Sequence, residues 1–385
     1  MATTSMNTTA WFDELALFLG SASVQSARCY ARCPRPDEGR AWRLEGTVRG
    51  PFSTRARTLP ATTTWSDTGY GPTLMATALI PDPCYWTPDN PALYDVQLRV
   101  LDGSREIGGI RRMFGLRRLG ARDRSFRFES HRWVLRGISR FLIHSPFPAS
   151  AHPVPMNDER MRNAWEAAPW RDQQAALVAS RLTDDECERA QRDGRVLVAW
   201  VRLDQAGWQN ELRRLSRSAA VAFAILAGQP TADDAPASDM VESPRVLAPN
   251  LCLLQAFSSH QSVRPSDWAH GVVVEPEDDP VAFARRTQSC GLPIVAYRPF
   301  VPSSDPRSDP RLEWSNLASA TNTANSSNGA NSSNGSREVN LTNATNTAND
   351  LVTTWVSQAF NAARAAVDVL QRDLAPAGDY AGYLV

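Results

Sequence analysis

Tyr85-Trp86-Thr87-Pro88-Asp89-Asn90-Pro91-Ala92-Leu93-Tyr94-Asp95-Val96 is the stretch on which the fold of this chain turns. Pro88 and Pro91 each fix a backbone dihedral and withhold an N–H, so the chain approaches in an extended path. Trp86, Leu93 and Tyr94 then offer large apolar surfaces, expected to pin the final strand pair of a sheet. From Tyr94 onward the apolar residues alternate, through Val96, Leu98 and Val100, which puts one face in a core and the other in water.

Upstream the texture is the same. Residues 41–48 and 74–79 are short β segments, and the Pro, Gly and Asp residues between them supply turns. This predicts a β-sandwich over 25–120, preceded by an N-terminal segment, 1–24.

Downstream of Phe126 the pattern changes to apolar runs of strand length, at 133–138, 176–179, 196–201, 220–226, 251–257, 271–274 and 293–297. Helical stretches separate them. Thr183 with Glu186 three residues on has capping-box spacing before a helix at 184–192. Residues 209–217 form another, and Pro280 opens a third at 280–287. Near-continuous apolar strands joined by helical crossovers imply a parallel sheet covered on both faces. Seven strands over 121–302 suit a reduced or degenerate (β/α)8 TIM-type barrel, shorter than the roughly 250 residues usual for one. The predicted fold class is therefore multidomain, β followed by α/β.

At the junction of the two textures lie Phe114-Gly115-Leu116-Arg117-Arg118 and His131-Arg132-Trp133-Val134-Leu135-Arg136-Gly137-Ile138. Together with the Trp86 stretch they resemble motifs of glycoside hydrolase family 2, the β-galactosidase and β-glucuronidase group. The first resembles that family's "W-[ST]-P-x-x-P-x-L-Y" in the last strands of an immunoglobulin-like domain. The others resemble its "FGxR … NGxxxxLRGVN" passage into the first barrel strand. Order and spacing are kept over 86–140. The resemblance implies an immunoglobulin-like sandwich, a TIM barrel, and hydrolysis of O-glycosyl bonds in carbohydrate metabolism.

It also implies where catalysis would sit, and there the sequence departs from the family. The run Ser218 to Gln229 is similar to the strand that ends in "W-S-x-G-N-E", whose Glu is the general acid/base. Here Ala227, Gly228 and Gln229 stand in place of Gly, Asn and Glu, and glutamine cannot give up and recover a proton as a carboxylic acid does. The run Leu292 to Arg298 resembles the strand that ends in the nucleophilic Glu. Its end holds Tyr297 or Arg298, depending on a one-residue register, and neither forms a glycosyl ester. Ser139 and Phe141 replace the Asn and His that follow the family's entry strand, and no counterpart of its N-terminal jelly roll is found.

A retaining glycosidase needs two carboxyls about 5 to 5.5 Å apart. The resemblance with these replacements therefore implies a pseudoenzyme, with carbohydrate as the expected ligand at the barrel mouth. An active hydrolase with relocated carboxylates is the alternative.

Barrel active sites lie at the C-terminal ends of strands. Asp204 follows 196–201, and Glu275 with Glu277 follows 271–274, which makes Glu275 the first choice for a relocated acid or nucleophile. Glu277, Asp278 and Asp279 beside it also suit a plain acidic lead-in to a helix N-terminus. Trp200, Trp208, His260, Trp268, His270, Tyr297, Arg298 and Gln229 fall near strand ends or loops. Aromatic rings there would stack on a sugar, and Gln and Arg would bond its hydroxyls. The same aromatics serve equally as core filler.

Composition narrows the rest. The 385 residues are 42% hydrophobic, enough to fold as a globular protein. The 41 basic residues are all arginine and balance 41 acidic ones, so no field of one sign points to nucleic acid or an anionic membrane. Cys29 and Cys33 have no partner pair or nearby His for zinc. No phosphate loop, dinucleotide fingerprint or HExxH is present, so neither metal nor cofactor is expected. The first ten residues are polar, and the apolar stretch 15–19 is short and follows Asp13 and Glu14. A cytoplasmic protein without a signal peptide or membrane span is expected.

Residues 303–349 are rich in Ser, Thr, Asn, Ala and Gly and are predicted to be disordered linker. The sequons at Asn325, Asn331, Asn334, Asn340 and Asn343 follow from that composition. Residues 350–375 return to helical spacing, with Leu351, Trp355, Phe360, Ala363, Val367 and Leu370 on one face. That helix is expected to dock as the last barrel helix or to hold a protein partner as a scaffold.

Overall fold

In the computed structural model, the residues described are 12–35, 41–69, 71, 73–139, 165, 167–170, 174–229, 242–259, 261–277, 279–298, 335–378 and 380–385. Side chains within 335–352 and at 355 and 377 are not described.

The first unit contains β1 (Ala16–Ala22), β2 (Ser26–Pro34), β3 (Trp42–Phe52), β4 (Ala61–Asp67), β5 (Thr73–Pro81), β6 (Leu93–Asp102) and β7 (Arg105–Phe114). They are antiparallel in the order β1-β2-β5-β4-β3-β6-β7. The sheet folds on itself at β4, which pairs with β3 on one side and β5 on the other. Alternation does what the sequence implies: Ala27, Cys29, Ala31 and Cys33 of β2 face inward with Leu74, Ala76, Ala78 and Ile80 of β5. Leu44, Val48, Val96, Leu98 and Val100 close the core from the other half. The sandwich begins earlier than expected. β1 pairs with β2 from Ala16–Arg32 to Ala22–Ala27, inside the segment assigned to a separate N-terminus. Its alternation fades into Gly20-Ser21-Ala22, which hid it.

β8 (Leu119–Arg122), β9 (Ser125–Phe128) and β10 (His131–Trp133) form a small meander. It closes the N-terminal end of the second unit. Phe126 meets Phe223 edge-on at 4.9 Å, and Trp133 stacks on the same ring at 5.7 Å.

The second unit is a closed parallel barrel of β11 (Leu135–Ser139), β12 (Ala176–Ala179), β13 (Leu197–Arg202), β14 (Val221–Ala227), β15 (Cys252–Phe257), β16 (Gly271–Val274), β17 (Ile294–Tyr297) and β18 (Gly382–Leu384). It has eight strands where the sequence shows seven. β18 closes the ring against both β11 and β17. At three residues it is too short to display a period, and some 80 residues separate it from β17 in sequence.

Its helices are α1 (Asp184–Asp193), α2 (Trp208–Leu215), α3 (Pro244–Leu247), α4 (Pro280–Thr287) and α5 (Gly335–Leu374). The α1 capping box is formed, with Thr183 Oγ1 accepting from Glu186 N and Glu186 Oε2 from Thr183 N. The helical ring is thin: α3 is one turn, and among the described residues no helix joins β15 to β16.

α5 buries Val356, Phe360, Ala363, Val367, Leu370 and Leu374 in the barrel's own core. The described part of the apolar stripe is thus used within the chain, with α5 packed against β11 and β18. α5 also starts at Gly335, inside the tract expected to be linker, while 299–334 lies outside the described residues.

Tyr94 and Trp86 divide their work between the units. The Tyr94 hydroxyl accepts from Cys84 N at 2.9 Å and closes a tyrosine corner within the sandwich. Trp86 was expected to pin the same strand pair, but it packs into the barrel core. Its Nε1 donates to the carbonyl of Gln191 at 2.8 Å, at the end of α1.

The Phe114–Arg118 motif completes this joint. Arg117 donates to the carbonyl oxygens of Ala219 and, at 2.6 Å, of Asn250, and burial pulls its pKa down to about 10. Gly115 lies so close to the barrel that a Cβ would overlap Ala219 and crowd Trp86. Gly194 ends α1 at φ +76° against the backbone of Pro88.

Candidate functional site

The strand registers settle which side chains enter the barrel. Val198, Trp200 and Arg202 of β13 pair in register with Phe223, Ile225 and Ala227 of β14. Those in turn match Cys252 and Leu254 of β15, and so around to Val295 and Tyr297 of β17. Period two then sends this set inward. Gly137, Gly271 and Gly382 belong to it, and a Cβ on any of them would collide with Leu384, Leu254 or Leu135. These glycines make room for the large residues.

Trp200 and Tyr297 come from strands on opposite sides of the ring and meet across it, with ring centroids 5.3 Å apart. They are 3% and 1% exposed. The centre of the mouth is therefore filled by two aromatic rings. Burial first, and the nearby Glu275 charge second, push the Tyr297 phenol well above its usual range, so it stays neutral.

The two strands singled out as bearing the family's carboxylates are the fourth and seventh of the barrel. β14 ends in Ala227, then Gly228 at φ +83°, then exposed Gln229. β17 ends in inward-facing Tyr297, followed by exposed Arg298.

Carboxylates near the mouth are engaged elsewhere. Asp204 accepts from Arg202 Nε at 2.9 Å and from Arg202 Nη2, and lies beside Gly228. This fork sits beyond Trp200 on the same strand. Glu275 Oε2 accepts from Ser259 N at 3.3 Å, while Arg286 of α4 donates to the Glu275 carbonyl at 2.6 Å and pairs with Glu277 at 3.3 Å. Glu275 therefore helps fasten the ends of β15 and β16, and Asp279, the N-cap of α4, accepts from Val281 N.

Other named candidates fall away from the mouth. Trp208 opens α2 and is buried. Trp268 and His270 precede β16 and so lie at the opposite, N-terminal end of the barrel. There His270 Nδ1 accepts from Leu253 N at 3.0 Å, and burial lowers its pKa to about 4. Ser139 ends β11. Phe141, His260 and Asp278 lie outside the described residues.

Sequence reasoning missed Arg202, and also a polar pocket between the ends of β14 and β15, lined by Gln229, Gln255, Gln261, Ser262, Arg264 and Ser266. The available signal was Gln255, a lone polar residue in the apolar run 251–257.

The fold defines a class: an immunoglobulin-like sandwich joined to a closed parallel barrel. Residues 45–117 match the family described as Glycosyl hydrolases family 2, so the resemblance read from the Trp86 and Phe114 motifs holds over that stretch.

Similar solved structures include a β-glycosidase from Bacteroides vulgatus, at 12% identity and a TM-score of 0.50, over 75% of this chain and 38% of that one. A family 2 member from Bacteroides cellulosilyticus is similar at 14% identity and a TM-score of 0.47, over 74% and 40%. A β-glucuronidase from Bacteroides uniformis gives 14% and 0.45, over 73% and 39%. At such identities the likeness is one of fold, and the chain spans less than half the length of each. No curated protein matches it.

Proposed function

We infer that this is a catalytically degenerate family 2-like protein that holds carbohydrate at the rim of its barrel without cleaving it. The observation that carries the reading is the Trp200–Tyr297 contact across the ring, which fills the centre of the barrel between β13 and β17. Gln229 supports it, since an amide cannot serve as the acid/base. Asp204 and Glu275 support it too, because their oxygens already accept from Arg202 and from Ser259 N. The rim exposes Gln229 and Arg298 to a sugar, with the glutamine-lined pocket beside Gln229. These groups can exchange hydrogen bonds with hydroxyls.

A glycan array probed with the full chain tests this. Retention of intact saccharide, lost in Gln229→Ala, is the expected result. No retained glycan on the array would remove the carbohydrate reading.

A further inference from the structure

The pocket between β14 and β15 has a hydrogen-bonding sense. Gln255 Oε1 accepts from Ser266 N at 2.7 Å, and Gln261 Oε1 accepts from Ser258 N at 3.0 Å. A backbone N–H can only donate, so each bond fixes which end of the carboxamide points at the backbone and leaves the NH2 group free to turn elsewhere. Arg264 adds a guanidinium, and Ser262 and Ser266 add hydroxyls. Arg264 is the one charged residue among the described residues lining the pocket, and none of them is acidic.

Position explains why this surface carries no helix among the described residues. Gln255 alternates with inward-facing Leu254 and Ala256, so it points away from the barrel axis, toward the layer where a crossover helix would normally lie. Between β15 and β16 no such helix occurs among the described residues, and the loop carrying Ser262, Arg264 and Ser266 takes its place.

A concave site with one positive charge, several N–H donors and the amide oxygens of Gln255 and Gln261 already engaged matches an oxyanion. The geometry points to a binding site for a carboxylate, sulfate or phosphate group at this rim, with Arg264 as the charged partner and Gln255 and Gln261 as neutral donors. This goes beyond the carbohydrate reading and does not depend on it: inorganic sulfate tests the pocket, whereas neutral saccharides test that reading.

The experiment is calorimetric titration of the full chain with sulfate, phosphate and glucuronate, against chloride and glucose as controls. Saturable binding of at least one oxyanion is expected. It should weaken about tenfold in Arg264→Gln, the size of one charge-assisted hydrogen bond. Gln261→Glu, which sets an acid in the pocket, should weaken it at least as much. Arg264 and Gln261 are both exposed, so neither change threatens the fold. Glucuronate binding more tightly than sulfate would identify the anion as part of a saccharide, and equal or weaker binding would identify a free inorganic ion. No saturable oxyanion binding, or binding unchanged in Arg264→Gln, would overturn the proposal.

Discussion

Trp86 and Gln191 join the two units of this protein. The indole N–H of the first donates to the carbonyl of the second at 2.8 Å, and both side chains are buried. Gln191 then extends the link, its Oε1 accepting from Ala219 N at 3.3 Å. Trp86→Phe keeps most of the apolar bulk but strands a buried carbonyl. A loss of about 1–3 kcal/mol is expected, read as a shift in the urea unfolding midpoint.

Gly115 belongs to the same joint. Gly115→Ala forces a methyl group against Ala219 and Trp86, and overpacking of this kind costs about 1–3 kcal/mol. The double change Gly115→Ala with Ala219→Gly removes the clash and should restore part of that stability. A double variant no more stable than the single one would show that the contact is not the cause.

Tyr297 is packed as a core residue. Tyr297→Ala should leave a cavity facing Trp200 and cost about 3–5 kcal/mol by thermal or chemical denaturation. Tyr297→Glu should also destabilise, because it buries a charge, and should gain no glycosidase turnover even when combined with Gln229→Glu.

His270 couples stability to pH. Its pKa is lowered from 6.5 to about 4 by burial, then by Arg245, so the unfolded chain takes up a proton before the folded one does. Its contribution is complete above pH 6.5 and fades as the pH falls toward 4. After allowance for partial solvent screening, this amounts to on the order of 1 kcal/mol. His270→Gln keeps an acceptor for Leu253 N and should flatten the denaturation midpoint across that window.

Much of the fold can be read from the sequence because its signals are local. The capping box at Thr183, the proline opening α4 and the apolar runs of β12 to β17 depend on neighbours within a few residues. β18 and the in-chain docking of α5 do not: a three-residue strand acquires meaning only when β11 and β17 are already in place. Trp86 is legible as a large buried ring, but which core it joins depends on how two units meet.

Gln229, and Tyr297 or Arg298, draw attention in the sequence because a resemblance marks their positions. The filled mouth is not, since it needs Trp200 and Tyr297 brought together from strands nearly a hundred residues apart. The oxyanion pocket is hidden for a related reason, because the sense of a carboxamide is set by the backbone N–H it meets.

The central claim is that this barrel does not hydrolyse glycosides. Its most direct test is release of nitrophenol from a panel of aryl glycosides by the purified full chain, beside Glu275→Gln and Asp204→Asn. The expected result is release at the buffer rate for all three proteins. Turnover by the wild-type chain that disappears in Glu275→Gln or in Asp204→Asn would contradict the account and make that carboxylate part of a working site.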